Sequence, residues 1–183
     1  MVQLARDHAV PIIFAPPLSK GGHVNGATGC MLQTGVGSFI VTASHVLAGY
    51  EERCEKGEIL NWQVGDLPPF DPIPRVAWRD KERDIVLLRL FEEETHRIGP
   101  CIIPKPHEWP PLTPREGDFV LVAGYPKALR ELDPAGTIGA GPYSAMLRVT
   151  TTGEGYCTCQ INHEDLISYD GGPLPNPAPI WAA

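Results

Sequence analysis

Three short segments contain residues whose types and surroundings could do chemistry. In TASHVL (42–47), His45 follows directly on an apolar run that ends Thr-Ala-Ser. An imidazole held at a strand end by a buried scaffold is placed to take or give a proton near neutral pH. In DIVLLRL (84–90), Asp84 opens an almost wholly apolar stretch after the charged run RDKER. An aspartate there reads on its own as a turn or cap residue. In ISYDGGP (167–173), Asp170 stands before Gly171, Gly172 and Pro173. That composition predicts a sharp loop that brings backbone close to a neighbour.

A fourth group is weaker. Cys157, Cys159 and His163 have the spacing C-x-C-x3-H, which matches no strong zinc pattern and offers no evident fourth ligand. Alternating cysteines on a strand share one face, so a place in a core is the simpler reading. No metal and no cofactor are expected.

The elements that must position these residues are short. The 183 residues include 20 prolines and 19 glycines, spread along the chain rather than gathered in one tract. Regular turn signals between brief apolar runs predict an all-β chain. VPIIF (10–14) is a strand. GCMLQTG (29–35) and GSFIVTA (37–43) flank Thr-Gly-Val-Gly and form a hairpin. A helical turn starts after Ser44 in SHVLAGYEE (44–52). EILNWQV (58–64), PIPRVAW (72–78) and DIVLLRLF (84–91) are further strands. ETHRIGPCIIPKPHEWPPLTP (94–114) is Pro-rich and without pattern, the mark of a connector. REGDFVLVAGYP (115–126) opens a second half, and SAMLRVTTT (144–152) with YCTCQIN (156–162) forms another hairpin. The organisation expected is an N-terminal unit over 1–98, a linker over 99–114 and a C-terminal unit over 115–183. Two β-rich halves joined in this way fit two packed barrels or one large sandwich.

The net charge of −7, with no basic stripe, argues against a nucleic-acid partner. The acidic residues interleave with basic ones in EERCEKGE and RDKERD, which reads as solvated surface. The start lacks a signal-peptide pattern, and no stretch is long enough for a membrane helix. Five cysteines without a secretory signal read as mostly free thiols in a reducing compartment, so the expected location is cytoplasmic.

Taken in order, TASHVL, RDIVLLRL and DGGPL resemble the chymotrypsin-like serine proteases, especially the compact bacterial trypsin-like peptidases. GSFIVTASHVL matches that family's histidine segment, DIVLLRL its aspartate strand, and GDFVLVAGYP the strand and turn that open its second barrel. The resemblance runs from about residue 10 to 173. It implies two six-stranded antiparallel β-barrels, with His45 as base and Asp84 as the carboxylate that orients it. The nucleophilic serine belongs just before Gly-Gly-Pro, and this chain has Asp170 there. Ser168 stands where the family prefers a glycine whose N–H donates to the oxyanion, and Tyr169 lies between them. The oxyanion loop would be built from Ser168, Asp170, Gly171 and Gly172. Ser168, two positions out of register, is the substitute nucleophile that an active enzyme would need.

The resemblance also brings a disulfide to mind, because Cys30 and Cys54 flank the His45 segment. The family's second cysteine, however, lies beside the histidine, where this chain has Val46. After Pro173 the chain continues LPNPAPIWAA, in which Pro175, Pro177 and Pro179 cannot donate to a β-ladder. The second barrel is therefore expected to be incomplete, and an open edge invites self-association. Three readings follow. The first is an inactive peptidase homologue that binds a peptide or protein in the cleft between the barrels. The second is a working peptidase, and the third a truncated product.

Overall fold

The computed structural model describes residues 7–17, 23–98, 113–125, 130–132 and 138–160. Strand β1 (Ala9–Ala15) alternates inward Val10, Ile12 and Phe14 with half-buried neighbours, the period of a strand with one face in a core. Strands β2 (Asn25–Thr34) and β3 (Gly37–Thr42) form the expected hairpin, with Thr34 paired to Gly37 across the turn. Thr34 Oγ1 donates to the Gly37 carbonyl at 3.0 Å and so closes the turn. Helix α1 follows at once (Ser44–Glu55), then β4 (Asn61–Val64), a 3-10 turn (Ile73–Arg75), β5 (Val76–Asp80) and β6 (Ile85–Leu90).

These six strands make one antiparallel sheet in the order β4-β1-β2-β3-β6-β5. A flat sheet of six strands would set its edges roughly 24 Å apart. Here Trp62 and Val64 from one edge strand pack in the same cluster as Val86, Leu88 and Leu90 of β6, with Val76 of the other edge against them. The sheet is therefore strongly coiled around one core. Among the described residues no backbone ladder joins β4 to β5, so the sheet is curled but not closed. Helix α1 plugs the core with Leu47 and Tyr50, one turn apart. Phe14, Tyr50 and Trp62 meet there: Phe14 stacks on Trp62 at 5.4 Å, and Tyr50 stands edge-on to both. Burial and the neighbouring Cys54 push the Tyr50 phenol up to about 12.

Helix α2 (Glu92–Ile98) departs from the expectation of a patternless stretch beginning at residue 94. It buries none of its own residues, so it carries no apolar stripe to read. Its start is fixed by the Glu94 carboxylate, which accepts the Phe91 N–H at 2.9 Å, a reciprocal cap. Arg75 forks onto both oxygens of Glu94 at 2.7 Å, and its guanidinium lies over the Phe70 and Phe91 rings. These contacts end the strand at Leu90, one residue before the expected Phe91. Likewise EILNWQV contributes only Asn61–Val64 to a strand, and PIPRVAW begins as the 3-10 turn.

In the second half, β7 (Phe119–Gly124), β10 (Tyr143–Gly153) and β11 (Tyr156–Gln160) form a three-stranded antiparallel sheet in the order β11-β10-β7. The short β8 (Arg130–Leu132) and β9 (Ile138–Ala140) make a separate ladder that the sequence did not suggest. Tyr143, Ala145 and Leu147 form a small core with Val120 and Cys159. The expected hairpin of β10 and β11 is present, with a bulge between Val149 and Thr151. The fold is thus mostly β and antiparallel, and among the described residues no sheet closes into a barrel.

The two sheets touch through β7, which lies against β1 and β2. Gly124 and Tyr125 approach Thr28 closely, and the Tyr125 N–H donates to Thr28 Oγ1 at 2.8 Å. A Cβ on Gly124 would sit 2.9 Å from that same oxygen. Thr42, which ends the strand before His45, donates its hydroxyl to the Thr28 carbonyl at 2.9 Å. One threonine thus ties the histidine-bearing strand end to the second sheet.

Candidate functional site

The site is built where β3 runs into α1 and where β5 turns into β6. Ala43 has extended backbone and no side-chain cap of its own, so the first N–H groups of α1 need partners from elsewhere. Asp84 supplies them. Its carbonyl accepts the Ser44 N–H at 3.1 Å, and its Oδ1 accepts the His45 N–H at 2.8 Å. Its other oxygen, Oδ2, lies 2.6 Å from His45 Nδ1. One carboxylate therefore caps the helix and orients the imidazole together. The carboxylate thus stands at the helix start and against the imidazole ring at once.

This double use has a backbone cause. Asp84 has φ of 54°, the only left-handed non-glycine residue among those described. Aspartate tolerates that region better than most residues, and the position carries strain. Upstream, Asp80 Oδ1 accepts the N–H groups of Glu82 and Arg83, both at 2.9 Å, which folds the tight turn leading into Asp84. The left-handed step then aims the carboxylate at α1 rather than into the core.

The imidazole and the carboxylate are open: their side chains are 75% and 46% exposed. The hydrogen bond from the His45 ring, and next the one from its backbone N–H, hold the Asp84 carboxyl below the usual carboxylate range. With Nδ1 engaged, Nε2 is the nitrogen left to act on a ligand. The arrangement can relay a proton at Nε2 or accept a hydrogen bond there, with Asp84 balancing the charge.

Charged residues that read as solvated surface prove divided. Lys56 is 65% exposed and pairs with Glu52. Arg53, in contrast, is 15% exposed and joins Glu58 to the His23 carbonyl. Arg79, at 17% exposed, reaches Ser44 and Glu51 of α1 beside the site. The sequence offers a signal for Arg79 only through register: it pairs with Val86, an inward residue, so it begins on the core side of the sheet.

Ser168, Asp170, Gly171, Gly172 and Tyr169 lie outside the described residues, as does His163. Cys157 and Cys159 are half-buried on β11, and Cys159 joins the small second core as an alternating strand residue would. Among the described residues no three metal-binding side chains cluster. Cys30, Cys54, Cys157 and Cys159 are free thiols, so the bridge between Cys30 and Cys54 is not formed. No helix among the described residues is long and apolar enough to cross a membrane.

No protein-family model matches the chain, and none of the curated proteins is significantly similar to it. The functional reading therefore rests on the motifs and on the geometry around His45.

Proposed function

We propose that the chain is a homologue of the trypsin-like serine peptidases that has lost turnover and retains a binding role. The observation that carries this reading is the His45–Asp84 contact: Nδ1 on the carboxylate at 2.6 Å, with Nε2 left for a ligand. A coiled six-stranded sheet and a smaller antiparallel sheet that meets it at Thr28 are compatible with two barrels.

In this reading Asp170 faces the imidazole where a serine hydroxyl would stand. Attack by a carboxylate on an amide would give an anhydride and expel a poor amine leaving group. A carboxylate at that place also offers the imidazole no hydroxyl proton to take. Its charge opposes an oxyanion that backbone N–H donors would otherwise stabilise. The role left in this reading is binding of an extended peptide or a protein segment between the two halves.

A fluorophosphonate serine probe tests the reading. The protein is expected to resist labelling, and Asp170→Ser is expected to label in a manner that His45→Ala abolishes. Labelling of the unaltered protein that depends on His45 would overturn inactivity. Failure of Asp170→Ser to label in a cooperatively folded protein would overturn the placement of residue 170 opposite His45.

A further inference from the structure

Two strands and a helix converge behind His45, and one side chain joins them. The Arg79 Nε donates to Ser44 Oγ at 2.8 Å, and Nη2 donates to the Ser44 carbonyl at 3.2 Å. Nη1 forks onto both carboxylate oxygens of Glu51, each at 2.9 Å. Ser44, 3% exposed, is thus gripped on its hydroxyl and carbonyl by Arg79 and on its N–H by the Asp84 carbonyl. Arg79 and Asp84 flank the same tight turn between β5 and β6, so the hairpin holds the first turn of α1 like a two-point clamp. Without the guanidinium, only Asp84 would tie the residue before His45 to that hairpin.

We propose that Arg79 is the positioning residue of the His45 imidazole, acting through Ser44 and braced by Glu51. The inference rests on reading His45 and Asp84 as a proton-handling pair. It concerns how that pair is held, not which ligand it meets. Arg79 touches no ligand in this scheme. It fixes the helix start so that Nδ1 stays on Asp84 Oδ2. The planar fork matters, because a lysine ammonium cannot serve Ser44 and both oxygens of Glu51 in one geometry.

The test is nuclear magnetic resonance of the ring of His45 in the full chain, assigned by comparison with His45→Ala. In the unaltered protein the Nδ1 proton is expected to be protected and shifted downfield by the Asp84 carboxylate. Arg79→Met is expected to lose the downfield proton through fast exchange with water, because the start of α1 no longer holds the ring on Asp84. Arg79→Lys should fall between it and the unaltered protein. Ser44→Ala removes the Oγ contact without changing charge, and it should weaken the downfield signal in the same way by less.

A downfield proton retained in folded Arg79→Met overturns the proposal. Should Arg79→Met fail to fold by circular dichroism, Ser44→Ala decides: an unchanged downfield proton there overturns it equally. None of these readings depends on Asp170. A failure of the fluorophosphonate experiment therefore strikes the peptidase reading, whereas a failure here strikes the clamp.

Discussion

Asp84 holds His45 at two points, by the ring through Oδ2 at 2.6 Å and by the backbone N–H through Oδ1 at 2.8 Å. The two contacts are separable by mutation. His45→Ala removes the first and spares the second, whereas Asp84→Ala removes both and leaves only the backbone carbonyl of residue 84 on the start of α1. The expected order of thermal midpoints is therefore unaltered protein, then His45→Ala, then Asp84→Ala as the lowest. Equal midpoints for the two variants would show that the cap contributes nothing.

The same carboxylate sets an acid limb. Its folded value lies below its unfolded value of about 3.9, because the folded state favours the charged form. Its contribution is complete above the unfolded value and is lost as pH falls through the folded one. The stability gap between the unaltered protein and Asp84→Asn should be constant near neutrality and shrink below about pH 4. Urea melts at stepped pH measure it, and a gap that widens toward acid contradicts the assignment.

An alkaline limb belongs to Tyr50. Its phenol is raised to about 12 by burial, by Cys54 and by Asp71. A raised acid favours the neutral folded form up to the unfolded value near ~10, and stability drains away as pH climbs toward the folded value. Burial raises the Tyr143 phenol too, so ultraviolet titration should show late tyrosinate absorbance from which Tyr50→Phe removes the Tyr50 share. The chain has five tyrosines, so that share is about a fifth of the total change.

At the aromatic cluster, Trp62 is fully buried and its indole N–H has no partner among the described residues. Trp62→Ala should cost about 3–5 kcal/mol through the cavity it leaves. Trp62→Phe retains a ring against Phe14 and Tyr50 and deletes the unsatisfied donor, which offsets roughly 1–3 kcal/mol of the loss. Denaturant melts with equal slopes should therefore place Trp62→Phe far closer to the unaltered protein than to Trp62→Ala.

Gly124 guards the contact between the sheets. A methyl there meets Thr28 Oγ1 at 2.9 Å, the atom that accepts the Tyr125 N–H. Gly124→Ala should cost about 1–3 kcal/mol and speed exchange of the Tyr125 amide proton. Thr28→Ser keeps the oxygen and should leave that proton protected.

Much of the first half was legible because its signals are local. Glycine-bounded apolar runs fixed the β2–β3 hairpin, and a short apolar run stopped by Pro-Pro marked β1. Proximity of His45 to Asp84 was not local: they are 39 positions apart, and only the ordered resemblance of their segments put them together. Arg79 was hidden because a charged run looks solvated until strand register turns one member inward. Helix α2 was hidden for a related reason: it buries none of its own residues, and its support comes from Arg75 on another element. The β8–β9 ladder escaped notice because three-residue strands carry too little pattern to separate from loop.

Every hydrogen bond seen at His45 and Asp84 among the described residues comes from a partner between 44 and 84. The imidazole is consequently a self-contained module, wired within one short stretch of chain. Drift in the later half that spares the contact of Tyr125 with Thr28 can change what the molecule recognises, or erase a reaction altogether, without registering in the geometry around this ring. A well-kept histidine and aspartate are thus poor witnesses to activity in a chain of this kind.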